Sequence, residues 1–149
     1  MDSYYLLSRP TLRLSFALTV LLFISGGCSR EKTPKRYPVS GKVVFDDGEP
    51  VKTGVVEFIP SEGEFTANGQ IQRDGTFRLQ TINKNDGAVP GKYKVIVKQF
   101  IFYDKLPKHK HDHGGDVAKS FADVRTTSLE FEVRPEKNTA DFEVSYSQK

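Results

Sequence analysis

The sequence predicts an all-β fold, an antiparallel seven-stranded β-sandwich occupying residues 39–149. Three observations predict it. Apolar and polar residues alternate at period two in nearly every hydrophobic run, the pattern of strands with one face on a core and one in water. Turn signals rich in Gly, Asp and Pro divide these runs at short intervals. After Val39 no window sustains the i, i+3, i+4, i+7 spacing of an amphipathic helix.

The strands follow in order. VSGKVVF (Val39–Phe45) runs into the turn DDGEP, and GVVEFIP (Gly54–Pro60) runs into SEGEFTANG. QIQR (Gln70–Arg73) and GTFRLQT (Gly75–Thr81) flank Asp74-Gly75, a hairpin signal because primed turns need positive φ. KYKVIVKQ (Lys92–Gln99) is the strongest alternator, with Tyr93, Val95 and Val97 on one parity and Lys94, Ile96 and Lys98 on the other. Phe100 and Phe102 fall on the opposite parity from Val95 and Val97, which predicts a bulge near Lys98–Gln99. SLEFEV (Ser128–Val133) and TADFEVSY (Thr139–Tyr146) complete the set around the turn RPEKN. A helical turn is expected only in VAKSFADV (Val117–Val124).

The N-terminus is different in kind. Arg9 and Arg13 precede the apolar run LSFALTVLLFI (Leu14–Ile24), and Ser25, Gly26 and Gly27 precede Cys28, the single cysteine. That order describes a secretory signal peptide over residues 1–27. The run is shorter than the roughly 20 residues a membrane-spanning helix needs. ISGGC resembles the bacterial lipobox, with Ser25 standing where that motif prefers Leu. The resemblance implies that Cys28 carries palmitate-type acyl chains and anchors an exported protein to a membrane of the cell envelope. Two chains hold such an anchor, where one binds only marginally. Residues 28–38, with SREKTPKRYP, read as a flexible tether. A lone cysteine cannot form an intrachain disulfide, so the hydrophobic core has to carry the fold. The formal net charge of +3 is too small and dispersed to point to nucleic acid.

Together, VSGKVVFDDGEPVKTGVVEFIP, RDGTFRL, DGAVPGKYKVIV and TSLEFEVRPEKNTADFEV resemble a known group. It comprises small bacterial lipoproteins of planctomycete type with a carboxypeptidase-regulatory-like, or transthyretin-like, domain. The likeness covers Val39 to about Val144. It implies a prealbumin-like sandwich after a signal-peptide helix, and no established activity. Transthyretin-like hydrolases carry a Tyr-Arg-Gly-Ser signature, and this chain reads Ser145-Tyr146-Ser147-Gln148-Lys149 there instead. No catalytic residue is therefore assigned.

Two stretches invite a binding role. All three histidines, His109, His111 and His113, lie in KHKHDHGG, within an insertion from Asp104 to about Lys119. Alternate spacing puts them on one side of an extended backbone, a donor set that suits Zn²⁺ or Cu²⁺. Lys108 and Lys110 oppose a cation there, and Gly114-Gly115 predicts a loop that is not preorganised. The aromatic run FIFY places Phe100, Phe102 and Tyr103 as a partner surface or as a cap on the core. Asp46-Asp47 and Asn83, Asn85 and Asp86 are oxygen-rich but lack the EF-hand spacing, and read as turns. The expected function is a non-enzymatic, membrane-anchored envelope lipoprotein. It would serve as a binding or structural module towards a protein or glycan, with sheet edges as its contact surface. The alternative is an envelope metal-binding protein using the histidine loop.

Overall fold

A computed structural model describes residues 33–99 and 114–148. The chain divides into Met1–Thr33, of which only Thr33 is described, and a compact unit, Pro34–Lys149. That unit is all-β, with two sheets and a single described 3₁₀ turn, Lys119–Ala122. The described strands number eight: β1 (Val39–Phe45), β2 (Val55–Pro60), β3 (Ala67–Gln70), β4 (Thr76–Arg78), β5 (Gly91–Lys98), β6 (Glu130–Val133), β7 (Asn138–Thr139) and β8 (Phe142–Val144).

The eighth strand arises where TADFEVSY splits. Val39 faces Asn138 and Val43 faces Phe142, so β7 and β8 keep one register along β1. The ladder is interrupted between them, where the Asp141 carboxylate accepts the Lys42 N–H at 2.9 Å. β1 crosses closely here: a Cβ on Gly41 would lie 1.8 Å from the Ala140 carbonyl oxygen, so only glycine fits. Both pairings are parallel, which corrects the purely antiparallel expectation. Alternation reports which face of a strand is buried, and it says nothing about the direction of the neighbour.

The first sheet places β1 between β4 and the β7–β8 run, and the second has the order β3-β2-β5-β6. QIQR reads as a strand, but the pairing falls three residues earlier, on ANGQ, where Val55 to Phe58 run opposite Gln70 to Ala67. The hairpin at Asp74-Gly75 also differs from the primed turn expected. Gly75 N–H donates to the Gln72 carbonyl and Gly75 alone takes positive φ, at 82°, with Asp74 on the ordinary side. A turn closed by a left-handed glycine at its end accommodates one residue more than a two-residue loop. The Asp74 carboxylate then accepts the Thr76 N–H at 3.0 Å and the Thr76 hydroxyl at 2.7 Å.

The core lies between the sheets and is strongly aromatic. Phe58 of β2 has ring neighbours at centroid distances of 5.8 Å (Tyr93), 5.8 Å (Phe131), 5.9 Å (Phe142) and 6.4 Å (Phe77). Tilted pairs at such distances add about 0.5–1.5 kcal/mol each beyond area burial. Val43, Val51, Val56 and Val95 are fully buried around them. β5 departs from simple alternation. Ile96, on the parity read as solvent-facing, is 3% exposed, and the 3₁₀ turn packs against its strand. β5 stays in regular register with β2 through Lys98, so the expected bulge is absent at Lys98, and Gln99 leaves the ladder.

Candidate functional site

Each site residue named from the sequence, Cys28, Phe100, Phe102, Tyr103, His109, His111 and His113, lies outside the described residues. The described residues instead show the base from which the 100–113 segment departs. Gln99 donates from Nε2 to the Gly115 carbonyl at 3.0 Å and accepts the Val117 N–H at 3.0 Å through Oε1. One carboxamide thus ties the outgoing chain to the returning chain. Gly115 lies against the Tyr146 ring, where a Cβ would sit 2.1 Å from a ring carbon. Tyr146 stacks on Phe45 with centroids 4.0 Å apart and an interplanar angle of 4°. Its hydroxyl donates to Asp47 at 2.8 Å, and the Asp47 carboxylate pushes the phenol up to about 12. Gly115, expected to loosen the loop, is therefore packed at its foot.

A different site is built where the hairpin from β3 to β4 passes from one sheet to the other. Asn68 and Gln80 exchange backbone hydrogen bonds of 2.9 and 2.8 Å, joining the sheets at this corner. The approach depends on Gly69, where a Cβ would meet the Arg78 carbonyl at 2.7 Å and Leu79 Cδ2 at 3.2 Å. Of the sheet edges expected as a contact surface, the β3 edge is thereby partly closed.

Over this corner runs a groove of about 890 Å³. That volume is within the range of about 300–1,000 Å³ usual for small-ligand sites. Its walls come from β1, β3 and β4, with Val55 at the start of β2. In β1 and β4, Ser40 faces Arg78 and Lys42 faces Thr76. β3 adds Asn68 and Gln70, both exposed.

The rim is the 81–87 loop, which supplies Lys84 and Asn85. Asp86 shapes that loop by accepting the N–H groups of Thr81 at 2.7 Å, Asn83 at 2.8 Å and Ile82 at 3.2 Å. Asn85 takes a left-handed φ of 59° inside this turn, a conformation Asn tolerates. Burial works to raise the Asp86 carboxyl, but the three amides and the nearby Arg36 outweigh it and hold it below the usual carboxylate range. Arg36 Nε lies 2.8 Å from Asp86 Oδ2, close enough for an ion pair though off the axis of a linear hydrogen bond. Arg36 belongs to the stretch just before β1, where Tyr37 also pairs with Ala88 by backbone bonds of 2.8 and 3.0 Å.

The electrostatics of the groove are one-sided. Lys42, Arg78 and Lys84 line it, and among the described residues none of them makes a close ion pair, although Lys42 is near enough to Asp74 to help lower that carboxyl. The carboxylates nearby are already engaged: Asp141 with the Lys42 amide, Asp74 with Thr76, and Asp86 with its loop. Those bonds also answer for the oxygen-rich turns. Asp47 accepts from Glu49 N–H and Tyr146, and Asp86 from its own loop. Sequence reading missed the groove. Arg78 and Gln80 lie on the exposed parity of GTFRLQT, and strand pairing alone brings them beside Lys42 and Asn68.

No family model matches the chain, and no curated protein matches it. A solved structure of a DUF3823 family protein from Parabacteroides merdae is similar over 76% of this chain, with a TM-score of 0.45 and 13% identity. The chain spans about half of that protein, 48% of its length. The likeness is a remote one between β-rich chains.

Proposed function

We propose that this protein is an exported, lipid-anchored module of the cell envelope, non-enzymatic, whose transthyretin-like sandwich binds a polar partner through the groove at the β3–β4 corner. The carrying observation is the groove itself, where Lys42, Arg78 and Lys84 stand without close ion pairs among the described residues, beside carboxylates already used by backbone amides. The anchor rests on the N-terminal order of Arg9 and Arg13, Leu14–Ile24 and Cys28.

Two measurements test the reading. Mass spectrometry of the mature chain from membranes should show an acylated N-terminal Cys28, and a mature N-terminus elsewhere overturns the anchor. Detergent-solubilised full chain should retain envelope material that a Lys42→Glu/Arg78→Glu variant releases. Equal retention by both overturns the groove as the contact surface.

A further inference from the structure

We propose that the groove takes an acidic oligosaccharide, a hydroxyl-rich chain bearing carboxylate or sulfate groups. The inference rests on the groove being the binding surface and names its ligand class.

The lining chemistry carries it. Three cationic side chains and one carboxylate face the groove, and that carboxylate, Asp141, accepts a backbone N–H. The excess charge calls for an anion. Between the cations stand five carboxamides: Asn68, Gln70, Gln72, Gln80 and Asn85. Each carboxamide offers donors and an acceptor together, which matches a hydroxyl that donates and accepts at once. They are in part pre-set, since Gln72 Nε2 donates to the Gln70 carbonyl at 3.3 Å and Gln80 Nε2 to Asn68 Oδ1 at 3.5 Å. Arg78 and Lys42 sit on adjacent strands, close in register, as a cation pair for successive anionic groups.

Other ligand classes lack their usual anchors here. Protein partners rely on buried aromatic or aliphatic pockets. The apolar side chains in the lining are Phe77, which is 2% exposed and committed to the core, and the short, half-buried Val55. Single-stranded nucleic acid needs exposed aromatic rings for stacking, and the lining has none. An added peptide strand would need the β3 edge, which Gln80 already occupies in part, at Asn68.

The test is calorimetric titration of the detergent-solubilised full chain with an oligogalacturonate, a sulfated dextran fragment, the neutral dextran of matching length and a poly-glutamate peptide. The expected result is binding of at least one acidic saccharide that weakens with added salt. It should weaken about tenfold or more in Arg78→Ala/Lys84→Ala, the loss of charge-assisted hydrogen bonds. The galacturonate and sulfate arms tell which anion is preferred. A Lys137→Ala control, altered far along the sequence at an exposed turn, should bind as wild type. The exposed positions of Arg78 and Lys84 keep the variants folded, checked by an unchanged melting temperature.

Equal affinity for neutral dextran, or acidic binding that survives the double substitution, overturns the proposal. Groove-dependent binding of poly-glutamate without saccharide binding also overturns it. So does no binding of any of these probes. If envelope retention still falls in Lys42→Glu/Arg78→Glu, the ligand class fails while the groove reading stands.

Discussion

Two regions of the sandwich treat polar groups in opposite ways. At the foot of the 100–113 segment, Gln99 uses both ends of its carboxamide and the Tyr146 hydroxyl finds Asp47. At the β3–β4 corner, carboxylates are taken up by backbone amides and the cations Lys42, Arg78 and Lys84 are left facing the groove. Paired polar groups hold a fold, because breaking one strands its partner. Unpaired, clustered charges contribute little to stability and remain available to a ligand. The contrast separates structural polarity from binding polarity within one small domain.

The largest effect should come from opening the corner. Gly69→Val sets a Cβ 2.7 Å from the Arg78 carbonyl oxygen and crowds its methyl groups against Leu79. Overpacking of this kind costs about 1–3 kcal/mol, and chemical denaturation should record it together with loss of groove binding. Normal stability in this variant would break the view that close approach at Gly69 builds the groove.

Next is Asp86→Ala, which leaves three loop amides without their acceptor and Arg36 without its partner. The expected cost is about 1–3 kcal/mol, measured by urea unfolding. Because burial raises the Asp86 carboxyl while the amides lower it further, its folded value lies below its unfolded one. The stability it supplies is present above the ordinary carboxylate pKa and is lost as pH falls through the lowered folded value. Asp86→Asn should flatten the acid limb of the stability curve.

A smaller effect is expected at the foot of the 100–113 segment. Gln99→Ala should cost about 0.5–1.5 kcal/mol, with faster hydrogen exchange concentrated at Val117, whose N–H the side chain accepts. Exchange rising equally along β1 and β4 would deny a local clamp.

Tyr146 tests the same region by pH. Its folded pKa, about 12, stands above the ordinary value of 10.0. The protonated phenol therefore contributes stability that is full below pH 10 and lost as pH rises through 12. Tyr146→Phe should remove that alkaline dependence.

The smallest stability change belongs to the groove cations. Arg78→Ala should alter stability by less than about 0.5 kcal/mol while binding falls sharply. A large loss of stability instead would erase the distinction between the two regions.

Legibility in the sequence varies by residue. Val39–Phe45 and the run ending at Lys98 are readable because alternation there extends over a full strand. TADFEVSY reads as one strand because its alternation is continuous, and the Asp141 side chain that interrupts its ladder acts on Lys42, far away in sequence. Ile96 reads as solvent-facing because the segment lying against β5 comes from residues 119–122. The groove is invisible for the same reason: Arg78 and Gln80 look like any solvent-facing pair until Lys42 and Asn68 are set beside them.

By itself the sequence determined the all-β class, the inward parity of most strands and the turn positions. These depend on local periodicity and on residues with restricted or permissive backbones. Tertiary structure alone decided which strands run parallel, where the sheets join and which charges end up without partners. Those outcomes depend on contacts between residues distant in the chain, and no local pattern encodes them.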